Sequence, residues 1–248
     1  MVGREAALWR QLDHPNVLPF LGVDETTFSP HYALVSPWMK NGNLVDYVAR
    51  VKLSSGDVNL LVRHMAVIIA GHLAYIATFQ LVQTSDGLSY LHSQEIVHGD
   101  LRAANILITD AGQACLSDFG LTRVAPTATL TATTTLGRAS TRWTAPELLK
   151  EEVDAPDPPS DVYSFGYVCL EAYTLKPPFW DVRSEAVVLN KILQGHVVRR
   201  PTKDECSGKE LSDELWSLMT GCWSSDPSRR PSARRSGSMI RDTLVRGK

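Results

Sequence analysis

Three side chains with oxygen ligands stand out between residues 96 and 120: Asp100, Asn105 and Asp118. Carboxylate and amide oxygens are the ligands that hard divalent cations prefer, and a carboxylate can also accept a proton. The apolar, β-rich runs between them predict a hairpin, with strands at 105–108 and 114–116 and a turn at 109–113. Such a hairpin would bring the three side chains together. The stretch therefore indicates a site for a metal-bound phosphate.

The sequence around these residues resembles the catalytic centre of a protein kinase. Three ordered motifs carry the resemblance: His98-Gly-Asp100-Leu-Arg102-Ala-Ala-Asn105, then Asp118-Phe119-Gly120, then Ala145-Pro146-Glu147. Each motif alone occurs by chance, but three in order at the family's spacing do not. The resemblance implies an α+β, protein kinase-like bilobal fold with a truncated N-lobe and a mainly helical C-lobe.

The resemblance also implies the chemistry. Asp100 would accept the proton of the substrate hydroxyl, Asn105 and Asp118 would hold Mg²⁺ against the phosphates of ATP, and Arg102 would stabilise charge on the transferring phosphoryl group. A strand at 31–36 leads into the predicted hinge. Four residues of these regions would contact the adenine: Ser36 as gatekeeper, Pro37 through its carbonyl, Met39 through its backbone, and Leu107.

Ten further positions match residues with structural or regulatory roles in the family. They are Glu5, Trp9, Phe20, His98, Phe119, Gly120, Ser140, Glu147, Asp161 and Arg230. Among them, Trp9, Phe20, His98 and Phe119 would form a stack of four side chains. Asp161 would accept hydrogen bonds from the catalytic loop, with Ser160 as the N-cap of its helix, and Arg230 would pair with Glu147.

The chain departs from the family pattern at its beginning. Glu5, on a helix predicted at 4–12, would pair with a lysine on a preceding strand, but neither that lysine nor a glycine-rich phosphate loop stands before it. The expected organisation is therefore a residual N-lobe at 1–36 with one helix and two strands, a hinge at 37–43 and a C-lobe at 44–248. Such a chain would be a poor catalyst.

Helices are predicted at 44–51 and 58–92, and the second is too long for the family. Deleting residues 62–81 restores the family spacing, so these residues look inserted, as by a translated in-frame intron. The run 66–82 is almost wholly apolar but contains His72, Thr78 and Gln80, which makes a membrane anchor a remote alternative.

The activation segment is expected at 118–147. Ser140, five residues before Ala145, favours serine/threonine over tyrosine specificity, although Arg102 also occurs in some tyrosine kinases. Gly99 replaces the arginine that usually contacts a phosphate on this segment, so the threonines at 133–135 are predicted not to be obligatory activating sites.

Composition limits the remaining function classes. The 248 residues carry a net charge of −2 and 44% hydrophobic residues, which predicts a sizeable core and gives no reason to expect nucleic-acid binding. The four cysteines show no metal spacing and are predicted to be reduced and buried, which favours the cytoplasm or nucleus. A protein substrate is the expected partner, and the oligomeric state stays open. Two interpretations remain: a fragment or N-truncated gene model of a working kinase, or a pseudokinase that serves as a binding module.

Overall fold

The computed structural model describes residues 2–54, 62–119 and 141–246, with side chains at 6–51, 73–119 and 141–244. Within these ranges helices dominate and the strands form two small antiparallel sheets, which confirms the α+β class. The elements, in chain order, are α1 (Val2–Trp9), β1 (Gly22–Asp24), β2 (Ala33–Val35), α2 (Leu44–Ser54), α3 (Val62–Ser93), β3 (Ile106–Ile108), β4 (Ala114–Leu116), α4 (Pro146–Leu149), α5 (Pro158–Thr174), α6 (Glu185–Leu193), α7 (Asp213–Cys222) and α8 (Ala233–Arg246).

The predicted hairpin is present and positions the candidate site. Ile106, Leu107 and Ile108 pair with Leu116, Cys115 and Ala114, and Thr109 N–H closes the turn on the Gln113 carbonyl at 2.9 Å. Both strands bury apolar side chains, and the two isoleucines of β3 are β-branched residues that favour a strand. The ends of the hairpin therefore carry the two oxygen-bearing motifs to one edge.

The segment that follows the first helix pairs with this hairpin. Leu18 N–H donates to the Leu116 carbonyl and Leu116 N–H donates to the Asn16 carbonyl, each at 2.9 Å. The indole N–H of Trp9 donates to the Leu18 carbonyl at 2.6 Å. Residues 16–18 thus act as a third strand beside β4, and they carry α1 to the edge of the site.

Helix α3 runs without a break through the segment that looks inserted. Leu73, Ala77 and Leu81 are buried, and the Thr78 hydroxyl lies 2.8 Å from the Tyr173 hydroxyl of α5. One face of residues 73–81 is therefore packed into the core, whereas Tyr75 and Phe79 are exposed. The hypothesis that residues 62–81 are an insertion stays a prediction.

Helix α5 forms the centre of the larger, helical part. From Ser160 to Thr174 its residues are buried, which fits a helix apolar on nearly all sides. The prediction of Ser160 as N-cap was wrong. Asp157 is the N-cap and accepts the Ser160 N–H at 2.8 Å, because Pro158 and Pro159 lack N–H groups and suit the first two helical positions.

Several predictions concern residues or side chains that lie outside the described ranges. Gly120, Ser140 and the threonines at 133–135 lie outside the described residues, and so does the side chain of Glu5 in α1. The four cysteines are free and buried, as predicted. No helix in the described part of the chain is long and apolar enough to cross a membrane.

Candidate active site

The backbone of the catalytic-loop motif is hydrogen-bonded to a carboxylate of α5. Asp161 Oδ2 accepts the His98 N–H and lies 2.8 Å from His92 Nε2, and Oδ1 accepts the Gly99 N–H, also at 2.8 Å. Asp161 is 1% exposed, so these hydrogen bonds are what make its burial tolerable. Gly99 has a φ of 78°, a conformation that favours glycine. The contact predicted for Asp161 is present.

A second carboxylate of the same helix anchors the other end of the loop. Glu171 Oε2 accepts the Ala103 N–H at 3.0 Å and the indole N–H of Trp143 at 2.7 Å. Burial raises the pKa of Glu171 to about 7, although these two hydrogen bonds and the charge of Arg102 lower it. Sequence reasoning missed Glu171. A lone acidic residue in an otherwise apolar stretch of α5 was the available signal.

Asp100 and Asn105 contact each other at the head of the loop. Asn105 Nδ2 donates to the Asp100 carbonyl at 2.8 Å and to Asp100 Oδ2 at 3.1 Å. The pKa of Asp100 is raised, mainly by partial burial and also by the charge of Asp118. The Asn105 hydrogen bond and the charge of Arg102 oppose this and lower the pKa. A carboxylate so placed is oriented and has its affinity for a proton increased. The amide oxygen of Asn105 is left for a cation.

Asp118 follows β4 and is exposed. Its φ of 55° lies in the left-handed region, which aspartate tolerates better than most residues and which recurs at functional sites. The Ser117 N–H and hydroxyl both donate to the Asn105 carbonyl, at 2.9 and 3.0 Å. These bonds tie the Asp118 motif to the catalytic loop, so Asp100, Asn105 and Asp118 share one site as the hairpin predicts.

Arg102 is turned toward the segment that precedes α4. Its guanidinium carbon lies 4.8 Å from the ring centroid of Trp143, a cation–π contact, and its Nε is buried without a partner. The predicted role of Arg102 at the phosphoryl group stays a prediction. In this structure the side chain joins the catalytic loop to Trp143, which Glu171 also holds.

The four aromatic side chains predicted to stack do meet. Ring centroids are 5.4 Å apart for Phe20 and Trp9, 5.7 Å for Trp9 and Phe119, and 6.4 Å for Phe119 and His98. Burial lowers the pKa of His98, so its ring is neutral. The stack connects α1 to the catalytic loop through the Asp118-Phe119 motif.

The residues expected near an adenine lie on the connection after β2 and on β3. Ser36, Pro37, Met39 and Leu107 are all half-buried. The Met39 carbonyl accepts the Gly42 N–H at 3.0 Å, and Leu107 is bridged to Asn43. These contacts fix the connection against β3. Adenine recognition by these residues stays a prediction.

The predicted pair of Glu147 and Arg230 is present and buried. The two guanidinium nitrogens lie 2.6 and 2.8 Å from the two carboxylate oxygens, and Arg230 also donates to the Pro159 and Ser224 carbonyls. Tyr163 lies beneath the guanidinium at 5.1 Å. This bidentate geometry fixes α4 to the start of α5.

Arg142 is a second buried arginine, and sequence reasoning missed it. It donates to the carbonyls of Pro178, Phe179 and Val182 at 2.7 to 2.8 Å and to Glu185 Oε1 at 2.8 Å. Nothing in its sequence neighbourhood distinguishes it from a surface arginine. It joins the segment before α4 to the turn after α5.

The donor set fits a magnesium ion shared with phosphates. Among the described residues no group of three His, Cys, Asp or Glu side chains could enclose a metal by itself. Mg²⁺ is commonly bound by one or two protein oxygens together with substrate phosphates and water. The exposed Asp118 and the amide oxygen of Asn105 satisfy that requirement.

Comparison with known proteins agrees with this geometry. The model of the family described as protein tyrosine and serine/threonine kinase matches residues 1–239. A tyrosine-protein kinase, SPK-1 of Girardia tigrina, is 30% identical over 97% of this chain and 46% of its own length. The serine/threonine-protein kinase CTR1 of Arabidopsis thaliana is 29% identical over 92% of this chain and 25% of its own length. Ephrin type-A receptor 5 of Gallus gallus is 32% identical over 98% of this chain and 21% of its own length.

The chain therefore belongs to the protein tyrosine and serine/threonine kinase family. It spans less than half the length of each of these relatives. The relatives include both specificities by name, so the family assignment covers a protein kinase domain without deciding which hydroxyl it phosphorylates.

Proposed function

We propose that this chain is the catalytic domain of a protein kinase that transfers the γ-phosphate of ATP to a serine or threonine hydroxyl. The observation that carries the proposal is the single site formed by Asp100, Asn105 and Asp118, with the catalytic loop anchored at both ends to α5. A preorganised loop is what phosphoryl transfer needs, because catalysis there depends on positioning and electrostatics.

The chain's own residues divide the work as follows. Asp100, oriented by Asn105, accepts the proton of the attacking hydroxyl. Asn105 and Asp118 hold Mg²⁺, which when bound neutralises charge on the phosphates. Ser36, Pro37, Met39 and Leu107 line the adenine site, with the nucleotide base on the half-buried connection after β2.

Preference for serine or threonine rests on Ser140, where serine/threonine kinases carry a hydroxyl. Arg102 favours tyrosine specificity instead, because the same sequence motif occurs in some tyrosine kinases. The choice of a serine or threonine hydroxyl over a tyrosine hydroxyl is therefore a separate part of the proposal. Phosphorylation of matched peptides that differ only in serine, threonine or tyrosine at one position tests it directly.

A binding assay separates nucleotide recognition from transfer. We expect Mg-ATP to raise the melting temperature of the chain and expect Asp118→Asn to abolish the magnesium-dependent part of that shift, because a carboxylate ligand is lost. Transfer should be lost in Asp100→Asn with nucleotide binding kept. A chain that binds neither nucleotide nor magnesium would favour the alternative, a non-catalytic binding module, to which Gly99 also points.

A further inference from the structure

A polar stripe on α5 faces both the catalytic loop and the segment before α4. Asp161, Ser164 and Glu171 follow each other at intervals of three and seven residues, which places them on one side of the helix. Asp161 accepts N–H groups at the start of the loop, whereas the Ser164 hydroxyl donates to the Trp143 carbonyl at 2.8 Å. Glu171 accepts from the loop at Ala103 and also from the Trp143 indole. Of these three residues, Glu171 is therefore the one that holds both segments.

Trp143 is fixed at two points, one on its side chain and one on its backbone. Its indole N–H donates to Glu171 Oε2 at 2.7 Å, and its carbonyl accepts the Ser164 hydroxyl. Trp143 is 6% exposed, so water has little access to replace either hydrogen bond. The orientation of the indole ring consequently depends on the Glu171 carboxylate.

The ring of Trp143 in turn holds the side chain of Arg102. The guanidinium carbon lies 4.8 Å from the ring centroid, and the Arg102 side chain makes no hydrogen bond or ion pair with any other residue that the structure describes. A cation–π contact uses the face of the planar guanidinium group and leaves its N–H groups for an anion. Arg102 is therefore kept in place by an aromatic ring while its N–H groups stay unpaired.

Arg102 also lies close to two carboxylates. Burial raises the pKa of Asp100 and that of Glu171, and the nearby charge of Arg102 acts against this rise in both. Along the chain, Leu101 is the one residue between Arg102 and Asp100. A displacement of the guanidinium group would thus change the electrostatic field where the hydroxyl loses its proton and the phosphoryl group arrives.

We propose that Glu171 is a positioning residue for phosphoryl transfer: it orients the Trp143 ring, and the ring holds Arg102 beside Asp100. The proposal rests on the proposed function, because it presupposes transfer to a hydroxyl at Asp100. Glu171 is 6% exposed and acts only through its partners. A charge that is already in place when the transition state forms stabilises it without the cost of rearrangement.

The first measurement locates Arg102 in the full chain without nucleotide. A guanidinium group over an indole face has its Nε–H proton resonance displaced upfield by the ring current, and Arg102→Lys identifies that resonance in a ¹H–¹⁵N spectrum. We expect Glu171→Met to remove the upfield displacement, because the Trp143 ring is no longer held. Glu171→Gln can still accept both hydrogen bonds and should keep the displacement.

The second measurement connects this position with transfer to a peptide hydroxyl. We expect Glu171→Met to lower kcat by about tenfold to a hundredfold with the KM for ATP unchanged, because a misplaced charge affects the transition state and not nucleotide binding. Glu171→Gln should largely restore kcat. Glu171→Asp is a second variant in case Glu171→Met does not fold, since its shorter side chain cannot reach both donors.

The matched control is Thr174→Val on the same helix. The Thr174 hydroxyl is buried and bonds to the Leu170 carbonyl and to the backbone of Lys176, away from the catalytic loop. The variant should lower the melting temperature and leave the Arg102 resonance and kcat unchanged.

The proposal is overturned if Glu171→Met leaves the Arg102 resonance in place or lowers kcat no more than Thr174→Val does. An equal loss of kcat in Glu171→Gln and Glu171→Met would also overturn it, because the charge and not the position would then be responsible. An original chain that transfers no phosphate would refute the proposed function instead, and the Arg102 resonance would still decide whether Glu171 places Arg102.

Discussion

Replacement of Glu171 by glutamine tests the second anchor of the catalytic loop. The side-chain oxygen of glutamine can accept the Ala103 N–H and the Trp143 indole N–H as the carboxylate oxygen does. The variant therefore keeps the geometry and removes the charge. Any difference from the original chain reports the energy of holding that charge in a buried site.

The magnitude follows from the pKa of Glu171, which burial raises from 4.5 to about 7. The folded state then binds the proton more tightly than the unfolded chain does. The free energy of unfolding consequently falls as the pH rises from about 4.5 to about 7. Over that interval the loss from this one group is on the order of 3 kcal/mol.

Urea denaturation at pH 5 and pH 8 measures the effect. We expect Glu171→Gln to match the original chain near pH 5 and to be more stable at pH 8 by up to about 3 kcal/mol, or about 6–12 °C in melting temperature. Other titrating groups are common to both proteins and cancel in the difference. Glu210→Gln, at an exposed position, is the matched control and should show no pH-dependent difference.

Glu171→Ala distinguishes the charge from the hydrogen bonds. It leaves two buried donors without an acceptor and should destabilise the protein at both pH values, by about 1–3 kcal/mol for each donor. The reasoning is refuted if the difference between Glu171→Gln and the original chain is the same at pH 5 as at pH 8.

Three other outcomes are expected. Arg230→Met leaves the Glu147 carboxylate buried and unpaired, so it should lower the free energy of unfolding by about 3–5 kcal/mol in urea denaturation. Arg229→Met, at an exposed position, should lower it by less than about 1 kcal/mol. Equal costs of the two variants would contradict the role of the pair. Gly99→Ala should cost about 1 kcal/mol, because φ is 78° there, and an unchanged melting temperature would contradict that strain. If residues 62–81 are an insertion, their deletion should leave a cooperatively folding chain with less helical circular dichroism, and loss of the folding transition would exclude it.

The packing of α3 can be compared with the register that an insertion of residues 62–81 would imply. The structure buries Thr78 and Gln80 in α3 and leaves the Gln80 amide oxygen without a partner. In a chain that lacks residues 62–81, Val58 and Leu60 would fall at these two positions. An apolar side chain suits a buried position better than an amide oxygen without a partner does, although the Gln80 amide nitrogen donates to the Gly112 carbonyl at 2.6 Å. The same register would place Asp57 at the fully buried position of Ala77, so it does not favour an insertion, and the hypothesis stays a prediction.

Local patterns sufficed for elements whose signals are continuous in sequence. The hairpin β3–β4 follows from two short β-rich runs on either side of a polar, glycine-containing turn. The pairing of Glu147 and Arg230 was predicted only through the family resemblance, since 83 residues separate them along the chain. The start of α5 was misplaced because a serine near two prolines reads as a cap, although the aspartate before the prolines does the capping.

The sequence by itself determined the family and the α+β class, because motif order and spacing are properties of the chain. It also predicted the three oxygen-bearing residues of the candidate site. Tertiary structure alone decided that Glu171 anchors the catalytic loop, that Arg102 rests on Trp143 and that Arg142 supports the turn after α5. Each of these contacts joins residues at least 28 positions apart. These contacts affect stability because they are buried, and an unpaired charge or N–H group costs most free energy where water is excluded. Their burial depends on how α5 packs against the rest of the fold and not on the residues adjacent to them in sequence.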